Sequence, residues 1–167
     1  MNQDIYKSDY DYEIPEKLIA RYPPKNRTDS KLLLCKDQNF SIENFSSISN
    51  FFNKDDLIVF NETKVFKARL RLQKESGGQT EIFINRILSK FEAECLTKGL
   101  NLKKKSQVLK TDTFPLKINI VKEKDGLVLI KFSQNVEHLC SIYGKVPIPP
   151  YLKRDDDELD NVRYQSV

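Results

Sequence analysis

From Phe66 the chain alternates: Phe66, Ala68, Leu70 and Leu72 fall on one side, and Lys67, Arg69, Arg71 and Gln73 on the other. A period of two puts successive side chains on opposite faces of an extended backbone, so this stretch is a strand with one buried and one cationic face. Ser76-Gly77-Gly78-Gln79 follows and tolerates positive φ, after which a β-rich run resumes from Thr80 to Ile84. Together these predict a hairpin. Just upstream, Leu57-Ile58-Val59-Phe60 is apolar without alternation, the pattern of a short strand covered on both faces. Asn61-Glu62-Thr63-Lys64 would then sit at that strand's carboxyl end, where α/β folds place binding groups. A buried strand handing over to an antiparallel sheet limits the fold more than any other feature.

The rest of the chain fits around this junction. Phe91, Ala93 and Cys95 alternate with Glu92 and Glu94, and Leu116, Ile118 and Ile120 with Lys117 and Asn119. Asp125-Gly126 is a two-residue hairpin turn into Leu127–Phe132. About six strands with local connections point to a small barrel or sandwich. Ser133 is the expected cap of a helix whose apolar stripe is Val136, Leu139, Cys140 and Tyr143, ended by Gly144. His138, the single histidine, falls off that stripe and reads as an exposed helical residue. Pro147-Ile148-Pro149-Pro150-Tyr151 should be extended, because each proline fixes φ and restricts its predecessor. Near the start, Pro15 followed by Glu16–Ala20 predicts a short helix ended by Pro23-Pro24. Lys31–Cys35 and Asn39–Ile42 predict a hairpin across Lys36-Asp37-Gln38, and Phe45, Ile48, Phe51 and Phe52 an amphipathic helix. The expected fold is an incomplete α/β main domain with an inserted small antiparallel β-barrel. Residues 1–63 would be the first part of the main domain and 64–132 the barrel. Residues 133–167 would be a return helix and extended segment into a truncated main domain.

Composition narrows the function. No apolar run approaches the ~20 residues of a membrane span, and the first twenty residues carry Asp4, Asp9, Asp11, Glu13 and Glu16 with no apolar core. A soluble cytoplasmic protein is expected, without a secretory signal. Cys35, Cys95 and Cys140 are far apart and lack metal spacing, so buried reduced thiols and no metal site are expected. The net charge of +4 is uneven. Between Lys64 and Lys110 twelve Lys or Arg face Glu75, Glu81, Glu92 and Glu94, a local excess of eight. Such a segment, with Lys103, Lys104 and Lys105 as its candidate RNA contacts, suits a polyanion such as RNA; a solvated lysine-rich face is the alternative. Asp155 to Asp160 reads as a solvated acidic loop.

Three collinear blocks carry a resemblance. They are DYEIPEKLIARYPPKNRTDSKLL from Asp11, FNETKVFKARL followed by SGGQTEIF, and GKVPIPPYLKR from Gly144 with RYQSV from Arg163. In these blocks the chain resembles the S-adenosylmethionine:tRNA ribosyltransferase-isomerases, enzymes of queuosine biosynthesis. Family members run to roughly twice this length, and the resemblance covers their first half. It implies transfer of the ribosyl unit of S-adenosylmethionine to 7-aminomethyl-7-deazaguanine in tRNA, giving epoxyqueuosine-tRNA with no metal or further cofactor. The implied partners are tRNA, S-adenosylmethionine and a missing C-terminal half or second polypeptide. The candidate substrate-binding residues are Asn61, Thr63, Arg69, Gly77, Gly78, Tyr151 and Arg154. Asn61 and Thr63 would hydrogen-bond ribose or base edges, Arg69 would meet a carboxylate or phosphate, and Tyr151 would stack. Gly77-Gly78 is also explained by a hairpin turn without a ligand. Glu81 is a candidate base, with a plain exposed strand glutamate as the alternative, and no residue of this half stands out as catalyst. A truncated non-catalytic RNA-binding or scaffold module is the second reading.

Overall fold

The computed structural model describes residues 5–165. The chain divides into two compact units, Met1–Phe60 with Pro149–Arg154 and Asn61–Ile148 with Asp155–Val167. Asp4, and Ser166 and Val167 of the RYQSV block, lie outside the described residues.

In the first unit, strands β1 (Lys31–Lys36) and β2 (Asn39–Asn44) form the expected antiparallel hairpin, with Lys36 opposite Asn39. Its turn is Asp37-Gln38, at φ of 49° and 66°, because paired left-handed residues match the twist of the flanking strands. The two expected helices are instead 3-10 segments, three residues at Glu16–Leu18 and seven at Phe45–Phe51. The serines and asparagine of the second explain the difference. Ser46 donates through N and Oγ to Asn44 Oδ1, and Ser47 Oγ donates to the Asn44 carbonyl, which competes with an α-helical ladder. Pro147 to Pro149 carry no helix or strand, but Pro150–Leu152 closes into another 3-10 turn with Lys153 left-handed at φ 50°, so the expected extension stops before Tyr151.

The expected α/β main domain is not seen among the described residues, and its expected buried strand is corrected. Among the described residues the first unit has no α-helix and no parallel pair of strands. Leu57-Ile58-Val59-Phe60 is not a strand, and Leu57 and Val59 are 89% and 84% exposed. A strand exists only where a neighbour completes its main-chain hydrogen bonds, and no pairing reaches this segment.

The second unit is a barrel. β3 (Arg69–Lys74), β4 (Gln79–Ser89), β5 (Glu92–Lys98), β6 (Ser106–Lys110), β7 (Pro115–Lys124) and β8 (Leu127–Phe132) form a closed antiparallel ring in the order β3-β4-β5-β8-β7-β6. A two-residue strand, β9 (Gly144–Lys145), adds to the free side of β3 opposite Arg69 and Leu70. The alternation read from sequence holds at Ala68, Leu70 and Leu72 and at Leu116, Ile118 and Ile120, all buried. They meet Ile82, Ile84, Leu109, Val128 and Ile130 in one core. Full burial of each such aliphatic side chain stabilises by about 1.5–3 kcal/mol. Phe66 keeps the parity but precedes the strand and is exposed. Asp125 and Gly126, at φ of 53° and 79°, make the expected two-residue turn between Lys124 and Leu127.

Helix α1 (Val136–Tyr143) buries Val136, Leu139 and Cys140 on the core, and His138 is exposed as expected. Its cap is Asn135 rather than Ser133, since Asn135 Oδ1 accepts from His138 N at 3.2 Å. Ser133 extends the β7–β8 ladder instead, its N–H donating to the Lys117 carbonyl. Gly144 is required by close approach: a Cβ there would lie 2.1 Å from the Lys67 carbonyl oxygen and 2.2 Å from that of Cys140. The acidic run is not a solvated loop. Asp157 and the buried Asp160 form a reciprocal capping box on helix α2 (Glu158–Arg163). Of the three thiols, Cys35 is exposed, against expectation. Burial pushes Cys95 up to about 12 and Cys140 up to about 11.

Candidate functional site

The outer face of β3 concentrates charge. Arg71 lies opposite Glu81 of β4, and Arg69 opposite Lys145 of β9. Glu81 stands between two guanidinium groups, 3.6 Å from Arg69 Nε and 3.9 Å from Arg71 Nε. The first contact is an ion pair too long to be a hydrogen bond, and Arg69 Nε is buried without a hydrogen-bond partner. Arg69 also donates through Nη2 to the Ile148 carbonyl at 3.4 Å. Arg71 Nη1 donates to Asp155 Oδ1 at 2.7 Å. That bond holds Asp155 below the usual aspartate range and raises Arg71 further. Beside this cluster opens a polar cavity of about 650 Å³, with Lys67, Arg71, Tyr143, Lys145, Asp156 and Glu158 in its wall. Glu81 is therefore first a member of an ion-pair network. Asn61 and Thr63 are exposed and bonded to each other, Thr63 N and Oγ1 both donating to Asn61 Oδ1 at 2.9 and 2.6 Å.

A second cluster forms at the tip of the β3–β4 hairpin. Gly77, at φ 88°, makes the turn. Gly78 follows it, and a Cβ there would lie 2.9 Å from Lys74 Cε, the movable end of a flexible side chain. Lys74 Nζ donates to the Gly99 carbonyl at 3.1 Å. Across from it, the loop from Asn101 to Lys105 is held from inside. Buried Gln107 donates through Nε2 to the carbonyls of Asn101 and Lys104 at 2.9 and 3.0 Å, and Asn101 Oδ1 accepts from Lys103 N at 3.1 Å. Lys103, Lys104 and Lys105 are exposed on this fixed loop, and Lys104 Nζ lies 3.7 Å from Glu75 Oε2. Residues distant in sequence, Lys74, Glu75 and Ser76 at the hairpin tip and Asn101, Lys104 and Gln107 of the lysine loop and β6, thus border one hollow of about 350 Å³, and of the sequence candidates only Lys104 lines it.

Tyr151 and Arg154 belong to the first unit. Tyr151 is exposed on its 3-10 turn. Arg154 Nε donates to the Arg21 carbonyl at 2.9 Å, and the guanidinium lies 4.2 Å from the Tyr22 ring centre. Lys153 Nζ meets Glu16 at 2.7 Å and lowers that carboxyl's pKa. The first and last resemblance blocks therefore touch.

Sequence reasoning did not find Lys74, Arg71, Asp155 or Gln107. Gln107 carried a signal, as a polar residue at an inward position of the unforeseen strand β6. Among the described residues no three His, Cys, Asp or Glu side chains cluster to hold a metal, and no helix is long and apolar enough to cross a membrane.

Comparison with known proteins gives these clusters a context. The S-adenosylmethionine:tRNA ribosyltransferase-isomerase of Acinetobacter baylyi is 37% identical over 161 residues, covering 96% of this chain and 47% of that protein. The enzyme of the same name from Legionella pneumophila strain Lens is 35% identical over 163 residues, covering 96% and 48%. The chain thus spans about half the length of these curated relatives. A crystal structure of S-adenosylmethionine tRNA ribosyltransferase from Thermotoga maritima aligns with 82% of this chain and 48% of that one, at 29% identity and a TM-score of 0.39. The model of the queuosine biosynthesis protein family matches residues 7–167. With all three resemblance blocks inside that match, the chain belongs to the queuosine biosynthesis protein family.

Proposed function

We propose that this chain forms part of a tRNA-modifying transferase-isomerase, one that moves the ribosyl unit of S-adenosylmethionine onto 7-aminomethyl-7-deazaguanine in tRNA to give epoxyqueuosine-tRNA. The observation that carries the reading is the family match over residues 7–167, supported by relatives named S-adenosylmethionine:tRNA ribosyltransferase-isomerase. The sulfonium of the co-substrate acidifies neighbouring C–H bonds, so a general base can start the ribose rearrangement, and no further cofactor is needed. In this reading the lysine loop of the barrel binds the tRNA backbone, the Arg69–Arg71 face meets anionic groups of substrate, and the cytoplasm is the place of action. Asn61, Thr63, Tyr151 and Arg154 complete the substrate contacts.

A polypeptide equivalent to the other half of the relatives supplies the missing groups. Glu81, the candidate base of this half, faces two guanidinium groups. That pairing also favours the second reading, a non-catalytic RNA-binding or scaffold module. The two are separated by incubating the purified chain with S-adenosylmethionine and precursor-containing tRNA, alone and with the separately produced second half of the Acinetobacter baylyi enzyme. Adenine and methionine release is expected from the mixture and not from the lone chain. Preorganised donors matter that much: losing one oxyanion-type donor costs about 100-fold or more. Release by the lone chain at the mixture's rate would place the catalytic groups in this half. Binding of tRNA with no release from the mixture would favour the module.

A further inference from the structure

We infer that the 350 Å³ hollow at the hairpin tip seats one backbone phosphate of the RNA between the ammonium groups of Lys74 and Lys104, and that Glu75 occupies Lys104 as an internal competitor. The inference rests on the RNA-binding reading of the lysine loop and adds to it a defined seat and a residue that restrains it. Lys74 is already placed. The Gly99 carbonyl takes one of its three N–H donors and the residue lines the hollow, so the remaining donors are held at its rim. Lys104 also lines the hollow, from a loop that buried Gln107 grips through two main-chain carbonyls. Its partner Glu75 is 3.7 Å away and both side chains are more than half exposed. Such a surface pair is weak and exchangeable. A phosphate that displaces Glu75 gains a cation and releases condensed counterions from the RNA. Exposed Lys103 and Lys105 on the same loop continue the cationic surface, which suits a polyanion rather than a free phosphate ion.

The test is fluorescence anisotropy with labelled tRNA over a salt series, using Glu75→Gln, Lys104→Gln, the double variant and Glu123→Gln. Glu123 is exposed on β7 away from the hollow and controls for net charge. Glu75→Gln is expected to bind about two- to fivefold more tightly, with a log–log salt slope unchanged or steeper by up to about 0.9. Lys104→Gln should weaken binding and flatten the slope, and adding Glu75→Gln to it should restore nothing. Equal gains from Glu123→Gln and Glu75→Gln, or a Glu75→Gln gain that survives loss of Lys104, would overturn the seat. So would competition by millimolar inorganic phosphate as effective as that of unlabelled tRNA. Unchanged affinity and slope in the triple variant Lys103→Gln, Lys104→Gln and Lys105→Gln would instead remove the RNA-binding reading itself.

Discussion

The barrel and the first unit are both supplied with large apolar residues, yet they use them in opposite ways. In the barrel, Leu70, Ile82, Leu116 and Ile130 are almost wholly withdrawn from solvent. In the first unit Leu33, Phe40, Ile42, Leu57, Val59 and Phe60 remain exposed. Hydrophobicity is similar in the two; what differs is whether the main chain closes on itself. A ring of strands satisfies its own hydrogen bonds and gives each inward side chain a lid, whereas an isolated hairpin has one bare face.

Gly144→Ala should separate the two units most sharply. A Cβ overlapping two main-chain carbonyls forces β9 and the end of α1 apart, and the barrel's unfolding transition should lose about 3 kcal/mol or more in a denaturant titration. A loss under about 0.5 kcal/mol would mean that β9 does not pack as described. Next in size is the triple variant Leu57→Ser, Val59→Ser and Phe60→Ser. Barrel stability should stay within about 0.5 kcal/mol, while self-association by sedimentation falls, because the change removes exposed apolar surface. A large drop in the melting temperature would show that these residues have cover after all. The smallest effect concerns Asp155. Its pKa is depressed by Arg71, so the stability it contributes is present at neutral pH and is lost as pH falls through the depressed folded value. In Arg71→Met the carboxyl titration followed by NMR should move up toward the ordinary aspartate value. An unmoved midpoint would mean the pair does not form in solution.

Legibility followed the same division. Alternation plus turn chemistry located both long hairpins of the barrel, down to Asp125-Gly126, because period and φ preference are local properties. β6 escaped because Gln107 interrupts its alternation; its inward placement follows from two carbonyls that only the folded loop presents. Leu57–Phe60 misled for a related reason. An apolar run states a demand for cover and says nothing about whether a partner strand stands beside it. Among the candidate site residues, Gly77 and Gly78 were visible as a turn. The reach of Lys74 to the Gly99 carbonyl depends on a side-chain path that no spacing encodes.

The ring closes unevenly around β3. β3 joins β4 through five residue pairs, but on its other side β6 contributes only two, Gln73 with Lys110 and Lys74 with Leu109, and β9 two more at the far end. Between them Arg71 and Leu72 have no partner strand on that side. The cylinder is therefore fastened like a cuff with two separate clasps, one at each end of β3. The clasp at Lys74 carries the same lysine that reaches across the hairpin tip, so one residue serves both the joint that shuts the barrel and the rim of its cationic hollow.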